Sequence, residues 1–63
     1  MNNTIQELEE TLADARADLE LARTDLEQTE DEQLQTLIRE EIDNLLEEIA
    51  LLEEELASAR DRI

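Results

Sequence analysis

Glycine, proline, cysteine, histidine, lysine, valine and every aromatic residue are missing from this chain of 63 residues. Without histidine or lysine, no side chain stands ready to activate the hydroxyl of Ser58 or of the threonines, and the triad logic of hydrolases fails. Without glycine there is no loop of the kind that cradles phosphates. Without cysteine there is neither a disulfide framework nor a thiolate ligand. Di-iron bundles add histidine to their inward-facing glutamates, and histidine is lacking here. The chain is therefore expected not to be an enzyme and to hold no cofactor and no metal. The longest apolar run, Ile49 to Leu52, is far shorter than a membrane span, and Met1-Asn2-Asn3-Thr4 has neither the basic nor the apolar region of a signal peptide. A cytoplasmic protein without membrane contact is the simplest expectation.

Leu, Ile, Ala, Glu, Gln and Arg make up most of what is present, a mixture that favours helix throughout. Their order shows two stripes at alternating steps of three and four residues, the signature of one helical face repeated in heptads. The first is Ile5, Leu8, Leu12, Ala15, Leu19, Ala22 and Leu26. The second is Leu34, Ile38, Ile42, Leu45, Ile49, Leu52 and Leu56, continued by Ala59 and Ile63. Residues 27–33 carry no core side chain. At about 100° per residue, a single straight helix would turn Leu26 and Ile42 to nearly opposite faces, so the chain is expected to fold back between the stripes.

Thr4 with Glu7, and Thr29 with Glu32, have capping-box spacing. These signals predict helices over residues 4–27 and 30–62, with a turn at 28–30. In an antiparallel hairpin the positions of facing residues add to a constant, and the pairs Leu26–Leu34, Ala22–Ile38, Leu19–Ile42, Ala15–Leu45, Leu12–Ile49, Leu8–Leu52 and Ile5–Leu56 all meet that condition to within one residue. Alanine opposite a large aliphatic residue lets the helices approach closely while keeping layer volumes even. The competing arrangement is one continuous helix in a parallel coiled coil. It draws support from Leu34, which is intermediate in phase, and from the lack of a glycine or asparagine to close helix one in the left-handed conformation.

Leu37, Leu46, Ala50, Leu51 and Ala57, with Leu21 and Ala17 on the first helix, widen the apolar stripe beyond what one partner helix covers. Scattered surface leucines are ordinary. Their number on so small a chain instead favours a dimer interface, giving an all-α antiparallel hairpin that pairs into a homodimeric four-helix bundle.

Twenty acidic residues stand against five arginines, a formal net charge of −15. Such a chain is expected to repel nucleic acid and anionic lipid and to favour itself, cations or basic proteins as partners. The turn acids Glu30, Asp31 and Glu32 read as a solvated helix start rather than a cation site, since the calcium loop with its glycine is missing. Arg16–Glu20, Arg23–Glu27 and Arg39–Asp43 are the expected ion pairs. The acid-rich, lysine-free composition resembles that of proteins from extreme halophiles. Two functions from different classes emerge: an oligomerisation or protein-interaction module, and an inhibitor whose acidic faces imitate nucleic acid and bind a basic DNA- or RNA-binding protein.

Overall fold

Helical stripes of opposite phase need a reversal of the chain, and the computed structural model, which describes residues 4–62, contains one. Two helices, α1 (Thr4–Gln28) and α2 (Glu32–Asp61), pack side by side as a hairpin. The rod measures 48 × 14 × 12 Å. At ~1.5 Å per residue a continuous helix would be nearly twice as long, so the single-helix alternative is excluded.

The reversal occupies residues 29–31 and lies one residue later than the expected turn. Asp31 is the N-cap of α2, with φ −78° and ψ 120°. Its Oδ1 accepts from the amide of Gln33 at 2.8 Å and from that of Leu34 at 3.4 Å. This satisfies first-turn donors that have no partner within the helix. The Thr29–Glu32 capping box does not form. The Thr29 hydroxyl turns back to donate to the carbonyl of Asp25 at 2.6 Å, supporting the last turn of α1. Asp31 displaces Thr29 as the cap because it stands immediately before the helix, where a short carboxylate reaches the second and third amides. Among the described residues none has positive φ, so the chain reverses without the left-handed residue that its composition denies it.

Leu12, Ala15, Leu19 and Ala22 of α1 and Ile49 and Leu56 of α2 form the buried seam. Ile5, Leu8, Leu26, Ile38, Ile42, Leu45, Leu52 and Ala59 are half-buried along it. Leu34 departs from expectation: it is 51% exposed. Gln35 takes its place, half-buried, with Nε2 donating to the carbonyl of Thr29 at 2.7 Å. Counted back in heptads from Ile49 and Ile42, the seam lands on Gln35, a polar residue that a search for apolar ones passes over. Ile63 lies outside the described residues.

Gln35 opposite Thr29 also sets the register. Continued through the heptads, it places Leu26 by Ile38, Ala22 by Ile42, Leu19 by Leu45, Ala15 by Ile49 and Leu8 by Leu56. The cross-seam ion pairs described below require the same register. This is one helical turn further along α2 than the expected pairing, because residues 29–31 are spent on the crossing between the helices, with Asp31 extended, before α2 begins. Alanine still faces isoleucine in the Ala15 and Ala22 layers, so the close approach inferred from residue size is kept.

Candidate interaction surface

With the seam closed, each helix presents two flanks beside it, and their chemistry differs sharply. On one flank Arg16 Nη2 donates to Glu53 Oε2 at 2.7 Å and Arg60 Nη2 to Glu9 Oε2 at 2.9 Å. Glu9 and Arg16 are one heptad apart on α1, as are Glu53 and Arg60 on α2. The two bridges are therefore successive rungs of one ladder, with the charges exchanged between helices. Continuing by heptads, Arg23 follows on α1, and Leu46 and then Arg39 follow on α2. Leu46 falls opposite Arg23, and Arg39 lies beyond it toward the turn. Four of the five arginines thus share this flank.

Arg16–Glu20, Arg23–Glu27 and Arg39–Asp43 do not pair as expected. Arginine N-terminal to an acid at i,i+4 is the weaker order, and the long guanidinium arms of Arg16 and Arg60 reach across the seam instead. Arg23 Nη1 lies 3.6 Å from Glu20 Oε1, one turn back on its own helix. Arg39 has no ion-pair partner among the described residues. Between the two rungs, the small side chains of Ala13 and Ala57 leave a shallow groove with Leu12 and Leu56 at its floor.

The other flank is acidic. Asp18 and Asp25 on α1 and Glu41, Glu48 and Glu55 on α2 recur at heptad intervals there, with Arg62 as the cation at its far end. A second groove on this side is lined by Leu8, Leu51, Glu55, Ser58 and Arg62, among others.

The residues expected to form a second apolar surface are all exposed, but they do not share one face. Leu46, Ala50 and Ala57 lie on the arginine flank. Leu51 and Leu37 lie about 140° and 180° around α2 from Leu46, at about 100° per residue, and belong to the acidic flank with Leu34 and Leu21. Ala17 points outward from α1. The arginine row was missed at the sequence level, although its signal was there: Glu9, Arg16, Arg23 and Arg39, Leu46, Glu53, Arg60 each recur every seventh residue.

Among the described residues no polar side chain is buried, and no three acids converge as metal ligands would. Asp31 is committed to its cap, and the hydroxyls of Thr24, Thr29 and Thr36 donate to carbonyls one turn earlier in the chain. No helix among the described residues is long and apolar enough to cross a membrane. Compared with family models, curated proteins and solved structures, the chain matches none of them.

Proposed function

We propose that this chain is a non-enzymatic interaction module whose hairpins self-associate into a four-helix bundle. The observation that carries the reading is the imbalance between core and surface. Among the described residues only six are buried, whereas Leu21, Leu34, Leu37, Leu46 and Leu51 are 43–65% exposed. A chain of this size buries too small a fraction of its surface to be comfortably stable alone, and joining two hairpins removes further apolar surface of both copies from water. Sedimentation equilibrium in molar KCl tests it. A particle of twice the 7.3 kDa chain mass, with a melting temperature that rises with protein concentration, is the expected result. A monomer at every concentration, with a melt independent of concentration, refutes it.

A second reading draws on the acidic flank, where Asp18, Asp25, Glu41, Glu48 and Glu55 recur with arginine only at one end. Such a row suits a basic groove on a nucleic-acid-binding protein, in a cytoplasmic setting. Capture of such a protein, competed away by DNA and weakened by salt, supports this reading; capture that DNA does not displace argues against it.

A further inference from the structure

We infer that a second copy of this chain docks on the arginine flank, with the two turns at the same end of the bundle and the two-fold axis along the rod. The inference rests on self-association and specifies which of two chemically different flanks is used, and in which direction.

Electrostatic register carries it. Consider two hairpins laid flank to flank and related by a two-fold axis parallel to the helices. Each α1 then faces the α2 of the other copy at the same height. Glu9 meets Arg60, and Arg16 meets Glu53. Every intramolecular rung is thereby matched by a second rung of opposite sense, producing squares of alternating charge. Leu46 is the one exposed leucine that enters this contact, beside Arg23 of the other copy, while Leu21, Leu34, Leu37 and Leu51 stay on the outer side, and Ala13, Ala50 and Ala57 allow the backbones to approach. All neighbouring helices run antiparallel.

Reversing one copy end for end on the same flank gives the opposite result. Arg16 would then meet Arg23, and Arg60 would meet Arg39, like charge against like, each pair occurring twice by symmetry. Docking through the other flank would gather Asp18, Asp25, Glu41, Glu48 and Glu55 from both copies. Juxtaposed like charges cost several kcal/mol in an interface, so the pattern selects one of these arrangements and rejects the others. Extents of 48 × 14 Å offer roughly 650 Å² per copy, enough for the ~1,000 Å² in total that marks a specific interface.

The test sets local register against net charge. Two copies of a chain of charge −15 repel, so by net charge alone an added arginine should tighten the dimer and an added glutamate should loosen it. The ladder requires the reverse at Leu46, which faces Arg23 in both copies. Leu46→Arg should weaken dimerisation about tenfold and Leu46→Glu should strengthen it, both measured by sedimentation near 0.1 M salt. Leu51→Arg on the acidic flank should change it by less than about twofold. In molar KCl the contrast should shrink.

Orientation is read separately. The chain has no cysteine, so Gln28→Cys at the end of α1 carries a single spin label. Labels within about 20–30 Å, two to three helix diameters, support the same-end arrangement. Labels near the 48 Å rod length mean reversed copies and overturn it. A dimer that Leu51→Arg disrupts, or whose response to Leu46 substitutions follows net charge, overturns the choice of flank while leaving self-association intact. A wild-type monomer at all concentrations overturns both.

Discussion

Asp31 and Leu34 stand three residues apart and should respond to substitution very differently. The Asp31 carboxylate satisfies two first-turn amides of a helix that carries most of the second half of the seam. Asp31→Ala should cost about 1 kcal/mol in chemical denaturation, within the usual range for loss of an N-cap. Leu34 is an aliphatic residue at the beginning of an aliphatic stripe, yet it is half-exposed and lies beside the seam rather than in it. Leu34→Gln should therefore change stability by less than about 0.5 kcal/mol. A loss of several kcal/mol would mean that Leu34, and not Gln35, fills the last layer before the turn.

At the scale of the helices, the seam is asymmetric in size: α1 supplies Ala15 and Ala22, and α2 places isoleucine against them. Ala15→Leu or Ala22→Leu should overpack these layers and destabilise the hairpin by about 1–3 kcal/mol, and Leu19→Ala in the layer between should cost about 2–5 kcal/mol. Thermal melts with helicity as the readout distinguish these losses from unaltered folding. The Arg16–Glu53 bridge is half-exposed on both sides, and a double-mutant cycle should give less than about 1 kcal/mol. Its value is directional: it fixes which residues of α2 lie beside which residues of α1.

Much of this level was legible in the sequence. Heptad spacing on both sides of a polar gap marked two helices, and the phase difference across the gap required a reversal. Less legible was the register, because it depends on how many residues the turn consumes. Asp31 and Thr29 compete for the same capping role, and only the backbone path shows which succeeds. The candidate surface was legible as a set of residues and not as a shape. Leu37 and Leu46 look alike as extra leucines on α2, and their separation onto opposite flanks follows only once the seam fixes the helix phase.

Across the whole molecule the net electrostatic effect is self-repulsion, at a formal charge of −15. Carboxylates stand four residues apart in Glu10–Asp14, Asp14–Asp18 and Asp43–Glu47, and only Arg16, Arg23 and Arg60 form ion pairs among the described residues. Between 0.1 M and 1 M salt the screening length falls from about 10 Å to 3 Å. The melting temperature should accordingly rise with KCl, since relief of repulsion over the whole rod outweighs the weakening of three exposed bridges. A melting temperature unchanged over that range would show that the carboxylates are too far apart, or too well solvated, to matter.

The hairpin also has a mechanical polarity. Thr4 and Arg62 border the same groove, so the outer ends of α1 and α2 meet at one end of the rod and the turn at Asp31 closes the other. Tension applied between Thr4 and Arg62 loads the layers one after another, beginning with Ile5 and Leu8, and peels the helices apart from that end at low force. Tension applied between Thr4 and Gln28 instead stretches α1 along its own axis, against its backbone hydrogen bonds. A pull between Thr4 and Arg62 therefore opens the molecule like a clasp, with the turn as its hinge.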